Sequence, residues 1–319
     1  VLRIQKSAVG GDENLPLNTM AIKRKTYKFR KGDIIDREEY HDGKYGAPGE
    51  KRAKKKKPTP EQMQKVNALN KARRCRHRML EHINPGDIWA TWTYRVGERP
   101  EDMKGAMKDF QKAMRYVRKE YKKRGEVLYW FRNIEHGTRG AWHIHIVINE
   151  IGDTASILQK AWEKGGTWFT EIRKSQYYDE DFTKLSNYIT KDEHTVEEKE
   201  DGTPGKPRLK EVNYSTSRNM PLPEPDTKKL YRWKKEPKPK KGYYIARIHE
   251  GTNPATGYKY RRYTMIRLGS RAEEMRAWDR EEEGAGGRRH VRGKHLHQDH
   301  MGRPFKEKRG GHVADRIQE

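Results

Sequence analysis

The chain has 319 residues, with 71 Lys+Arg against 46 Asp+Glu, a formal net charge of +25, 32% hydrophobic residues and one cysteine. No stretch approaches the roughly 20 consecutive apolar residues of a membrane-spanning helix, and the N-terminus has no apolar signal-peptide core, so a cytoplasmic protein without a membrane partner is expected. Cys75 alone cannot form an internal disulfide or a cysteine-based zinc site, which leaves His and carboxylate as metal ligands, and the positive charge makes nucleic acid the first partner to consider.

The charge is uneven, at +11 over residues 1–87, +4 over 88–192 and +10 over 193–319, which suggests one compact domain between basic arms. Residues 1–58 read as a basic, largely disordered arm in which Met20 could be the true start. The block 51–57, with Lys54, Lys55 and Lys56, repels itself unless it meets phosphate. Over 59–87, Thr59 and Gln62 make a capping box and Pro60 suits the first turn. The helix that follows carries Met63, Val66 and Leu69 on one side, then Lys71, Arg73, Arg74, Arg76 and Arg78. It is expected to pack on the core with its basic end toward nucleic acid.

The region 88–192 carries the clearest periodicity. Residues 88–94 alternate and are rich in β-formers, so they predict a strand. Pro100 opens a helix with an apolar stripe at Met103, Met107, Phe110, Met114, Val117 and Tyr121, ended by Gly125. Residues 127–135 and 141–149 form a hairpin around 136–140. Asp153 caps a short helix stopped by Gly165-Gly166, residues 167–172 form a fourth strand, and a last helix spans 179–192. The order β-α-β-β-α-β-α predicts an α+β, ferredoxin-like (RRM-like) palm, an antiparallel sheet with helices on one face and the other face open. Beyond it, 193–240 reads as an extended linker, 241–270 as a β-hairpin and 271–319 as a basic disordered tail.

In residues 142–148 the period of two puts His143 and His145 on one face and Ile144, Ile146 and Ile148 on the other. The isoleucines belong under the helices, so both imidazoles lie on the open face and can share a metal ion. Glu135, at the end of the partner strand, can complete a hard-cation site. A second His-x-His, at His295 and His297, lies in a Gly, Arg and His run without strand signal and reads as tail. On the last helix Phe182, Leu185 and Ile189 bury, while Lys184, Tyr188 and Lys191 share the adjacent sector. An ordinary phenol, with a pKa of about 10, is scarcely ionised at neutral pH, so Tyr188 as a nucleophile needs the cationic field of Lys191 and a metal.

These residues together resemble the HUH (His-hydrophobic-His) endonucleases, specifically the rolling-circle replication initiators of bacterial plasmids and phages. Residues 89–94 resemble the first motif of that family, 140–145 the metal motif with Glu135 as third ligand, and 187–191 the Tyr-x-x-Lys motif. A looser likeness covers 214–221. The resemblance implies an endonuclease and strand transferase that nicks and rejoins single-stranded DNA at an origin hairpin. It implies Mg²⁺ or Mn²⁺ as cofactor, Glu135, His143 and His145 as ligands, Tyr188 as the nucleophile that forms a 5′-phosphotyrosine, and Lys191 beside it. Thr91, Thr93, Arg139, Lys184, Arg218, Lys54, Lys55 and Lys56 are expected to contact the strand. Lys at position 184 removes the second tyrosine of the paired-tyrosine members, although Tyr177 and Tyr178 precede the helix. Residues 202–206 do not make a phosphate-binding loop, so a host helicase and DNA polymerase are expected partners in the bacterial cytoplasm. A relaxase or transposase would share this chemistry, and a DNA-binding module would need none of Glu135, His143, His145 and Tyr188.

Overall fold

The computed structural model describes residues 22–41, 57–136, 141–191, 214–230, 234–253 and 259–274, all within the unit Val1–Asp279. In chain order the elements are β1 (Ile22–Phe29), β2 (Ile34–His41), α1 (Pro60–His82), β3 (Ile88–Thr93), α2 (Met103–Lys123), β4 (Trp130–His136) and β5 (Trp142–Ile148). Then follow α3 (Thr154–Ala161), β6 (Thr167–Glu171), α4 (Thr183–Thr190), β7 (Tyr214–Thr216), β8 (Asp226–Leu230), β9 (Tyr243–Thr252) and β10 (Lys259–Arg267). The strands make two open antiparallel sheets, β6-β3-β5-β4-β7 and β8-β1-β2-β10-β9. No helix among the described residues is long and apolar enough to cross a membrane.

The first of these sheets has the order expected of a split β-α-β unit, with β7 added at the β4 edge. One face, made by Ala90, Trp92, Ile134, Ile144, Ile146 and Ile148, packs on α2 through Ala106, Phe110, Met114, Val117 and Tyr121 and on α3 through Ile157 and Leu158. Each large apolar side chain buried there contributes about 2 kcal/mol. The Trp162 ring stacks on Trp92, with centroids 4.9 Å apart, and its Nε1 donates to the Thr93 carbonyl at 2.8 Å. Gly165 makes that closure possible, because a Cβ there would lie 2.0 Å from the Thr93 oxygen.

The opposite face is not open as expected. Trp89, Phe131 and Val147 are covered by Cys75, Met79, Leu80 and Ile83 of α1 and by Phe182, Leu185 and Ile189 at α4. The reason lies in α1, whose C-terminal half carries a second apolar stripe that its arginines obscure. The stripe expected to pack is the exposed one, with Met63 and Leu69 at 40% and 49% exposure. Arg76, expected to face nucleic acid, is adjacent to Cys75 in the buried stripe and pairs with Asp36 and Asp181. Only the end of the sheet that carries His143 and His145 stays accessible.

The second sheet corrects the reading of the arms. Residues 22–41, expected within a disordered arm, form β1 and β2, and the expected linker 193–240 contains β7 and β8. The predicted C-terminal hairpin is present as β9 and β10, and β10 pairs with β2. Phe29, Ile34 and Ile266 from this sheet join the same core as α1 and α4, so those two helices form a shared layer between the sheets. Ile35, Tyr243, Tyr263 and Met265 make a small cluster on the other face.

Candidate active site

The strand register places the predicted ligands. Glu135 lies opposite His143 across β4 and β5, and Asn133 opposite His145; on the other side Thr93 faces His143 and Thr91 faces His145. Side chains in register across neighbouring strands stand on one face, so all six line the accessible end of the sheet.

Tyr188 reaches this group because α4 starts and stops at fixed points. The Asp179 carboxylate accepts from the Lys184 N–H at 3.1 Å and Asp181 from the Thr183 N–H at 3.2 Å, which satisfies donors at the N-terminus. Burial of Leu185 and Ile189 then turns Tyr188 toward β5. At the other end Lys191 leaves the helix with extended backbone, and its carbonyl accepts from Asn133 Nδ2 at 3.4 Å.

Tyr188 Oη is 3.4 Å from His145 Nε2, and that nitrogen is 3.5 Å from Glu135 Oε2. Lys191 Nζ is 3.3 Å from Glu135 Oε1 and 4.0 Å from the Tyr188 ring centroid. Thr91 Oγ1 lies 3.0 Å from His145 Nδ1, which leaves Nε2 turned toward Glu135 and Tyr188. Thr91, expected to touch the strand, is thus a positioning group for the imidazole. Thr93 Oγ1 donates to the Gly166 carbonyl at 3.3 Å.

Three residues that sequence reasoning did not assign complete the site. Trp89 stacks on His145 at 5.4 Å and meets Tyr188 edge-on at 5.5 Å. The alternation that put Thr91 on this face also puts Trp89 there, so a signal existed. Tyr177 stacks on Tyr188 with centroids 3.8 Å apart, from a segment with no periodicity to announce it. Asn133 faces His145 and holds the end of α4. The other expected contacts lie apart. Lys184 is exposed, and Arg218 lines a cavity of about 930 Å³ with Arg115 and Arg118 on the α2 side of the sheet. Arg139, Lys54, Lys55 and Lys56 fall outside the described residues.

The local field follows from burial and from these neighbours. Burial, then the Glu135 carboxylate and Tyr177, push the Tyr188 phenol well above its ordinary range. Burial would raise Glu135 as well, but His145 and Lys191 outweigh it and hold the carboxyl below its usual value. Burial and then His145 lower His143 against the pull of Glu135, which favours the neutral imidazole that a metal requires.

Two imidazoles and a carboxylate on one face are a donor set suited to a divalent cation. Glu135 Oε1 is buried and accepts no hydrogen bond, its contact with Lys191 being an ion pair. The set is only partly assembled: the His143 and His145 rings are 6.4 Å apart, and among the described residues no three His, Cys, Asp or Glu side chains are gathered closely enough to hold a metal ion. His145 Nε2 faces the Tyr188 hydroxyl, a contact it would have to exchange for a cation.

Neither the curated proteins nor the solved structures provide a match to this chain. Residues 87–193, about a third of the chain, are similar to the family of the replication-associated protein ORF2, and that stretch contains Thr91, Glu135, His143, His145, Tyr188 and Lys191.

Proposed function

We propose that the chain initiates rolling-circle replication by nicking and rejoining single-stranded DNA through Tyr188. The observation that carries this reading is the meeting of Tyr188 Oη with His145 Nε2 at 3.4 Å, beside Glu135 and Lys191. A structural tyrosine needs only apolar packing, whereas this one brings its hydroxyl to a His and carboxylate set. The similarity of residues 87–193 to replication-associated proteins agrees with a role in replication.

In the proposed reaction Tyr188 Oη bonds to phosphorus as the bond from phosphorus to the 3′ oxygen breaks. The phenol gives up its proton and the departing 3′ oxygen gains one. A 5′-phosphotyrosine and a free 3′-hydroxyl result, and attack of a 3′-hydroxyl on the phosphotyrosine reverses the step and joins the strand. Glu135, His143 and His145 would hold Mg²⁺ or Mn²⁺, which when bound polarises the scissile phosphate and offsets the Glu135 charge that opposes ionisation of Tyr188. Lys191 places an ammonium against the Tyr188 ring and favours the phenolate. Thr91 fixes the His145 tautomer and Trp89 the ring plane. Host helicase and polymerase would extend the primer.

The test is to incubate the protein with single-stranded origin oligonucleotides and Mn²⁺ and to seek a covalent adduct that survives denaturant. Adduct in the wild type and none in Tyr188→Phe is the expected result, with chelator abolishing it. An adduct in Tyr188→Phe would assign another nucleophile, Tyr177 first. Binding without adduct in the wild type would leave a DNA-binding module.

A further inference from the structure

A second polar cavity, of about 400 Å³, lies between the β8-β1-β2-β10-β9 sheet and the layer of α1 and α4. Its origin is in the register. Lys25, Glu38, Arg262 and His249 stand in one row across β1, β2, β10 and β9, and Tyr40 and Tyr260 stand opposite each other two residues along. The same sheet face begins with apolar Phe29, Ile34 and Ile266 against α1 and ends in these charged and aromatic rows. Where the side chains become polar, α1 presents Asn70 and Arg73, and the space between is not filled by apolar packing.

The charges in the cavity are not balanced from within. Glu38 is taken up by Arg73, whose Nη1 lies 2.7 Å from both carboxylate oxygens. Arg262, which burial and then Arg76 hold below its ordinary pKa, has one hydrogen bond, from Nη2 to Thr183 Oγ1 at 3.3 Å, and no carboxylate within ion-pair distance among the described residues. Lys259 likewise has no carboxylate partner there. A guanidinium withdrawn from water without a carboxylate costs stability unless a ligand anion completes it. The aromatic wall approaches the backbone closely, since a Cβ on Gly251 would come within 2.8 Å of the Tyr260 hydroxyl, so only glycine lets that ring lie across β9.

We propose that this cavity is a nucleotide subsite separate from the Tyr188 centre. Arg262 and Lys259 take the phosphate, the Tyr40 and Tyr260 rings take the base, and Asn70 and Asn187 offer donors and acceptors to its edge. Interleaved cations and aromatic rings are the chemistry by which single strands are held, and the volume suits one nucleotide rather than a duplex. The nucleotide belongs either to the bound strand or to a free mononucleotide. Thr183, Ser186 and Asn187 of α4 line the cavity, so its occupant would lie across that helix from the reacting phosphate. The subsite does not depend on strand cleavage, because a chain that only binds DNA would use it equally.

The experiment uses the full chain and a fluorescein-labelled single-stranded oligonucleotide, read by anisotropy, with binding of deoxycytidine monophosphate read by saturation-transfer NMR. The variants are Arg262→Met, Arg262→Lys, Tyr260→Leu and the exposed Lys259→Gln, each checked by melting temperature. If the strand supplies the nucleotide, Arg262→Met and Tyr260→Leu weaken oligonucleotide binding about tenfold. Lys259→Gln then lowers the slope of log affinity against log salt by about 0.7, and Arg262→Lys recovers part of the loss. If a free nucleotide is the ligand, deoxycytidine monophosphate binding disappears in Arg262→Met and Tyr260→Leu while oligonucleotide affinity is kept. The proposal is overturned if Lys259→Gln and the other folded variants bind both probes like the wild type. It is also overturned if inorganic phosphate displaces the mononucleotide and Tyr260→Leu has no effect, which would leave an anion site without base recognition.

Discussion

The hydroxyl of Thr91 decides which nitrogen of His145 faces the reactive groups. With Oγ1 at 3.0 Å from Nδ1, the ring cannot turn over without losing that contact, and Nε2 stays on Tyr188 and Glu135. Groups of this kind behind a ligating imidazole change metal affinity or activity by about 10–100-fold when removed. Thr91→Val is therefore expected to lower adduct formation within that range and to raise the Mn²⁺ concentration needed for half-maximal rate, with Thr91→Ser restoring most of both. A loss in Thr91→Val that added Mn²⁺ leaves unchanged would argue for a strand contact instead. Alternation along β3 sufficed to put Thr91 on the His face, because period two is a local property. It could not name the partner, since His145 is brought there by pairing across 54 residues of chain.

At the scale of elements, the two sheets are joined through a buried polar cluster on α1. Arg76 pairs with Asp36 of β2 and with Asp181 before α4, at 3.4 Å for the latter, while His77 Nε2 lies 2.9 Å from Asp36 and Thr264 of β10 donates to Asp36 at 3.0 Å. Burial alone would raise the Asp36 pKa, but Arg76 and His77 overcome it and leave the carboxyl well below its usual range. Removing one member leaves the others charged and unpaired in the interior, a loss of about 3–5 kcal/mol. Asp36→Asn is expected to lose that much stability in urea unfolding at pH 7. A folded pKa below the unfolded value of about 3.9 means that the Asp36 contribution is complete at neutral pH and disappears as pH falls through the acid range. The gap between wild type and Asp36→Asn should therefore narrow below about pH 4; a gap that stays constant would place the stabilisation in packing rather than charge. None of this was readable from the sequence, where Arg76 stands in a run of basic residues and its two carboxylates lie 40 and 105 residues away.

The whole molecule divides its positive charge differently from a domain with two loose arms. The split β-α-β sheet was legible because each of its strands and helices carries its own periodicity. The second sheet was not, because β1 spells its alternation mostly in lysine and arginine and because β2 finds β10 only across the length of the chain, with Asp36 and Thr264 separated by 228 residues. The arm is therefore two things. Residues 22–41 are structural, since Phe29 and Ile34 are fully buried in the core they share with α1 and α4. The lysine block at 51–57 has the composition of a phosphate-binding segment, with no apolar side chain larger than Ala53 to offer a core. Changing Lys54, Lys55 and Lys56 to Gln should leave the melting temperature as it is and lower the salt dependence of single-strand binding by up to about 2 in log–log slope, from about 0.7 per phosphate neutralised. Deleting residues 22–41 should instead abolish cooperative unfolding, because it strips two strands and the core residues beneath α1. If that deletion melts like the wild type and only its DNA affinity falls, the strands serve capture rather than the fold, and the division of labour drawn from the second sheet is wrong.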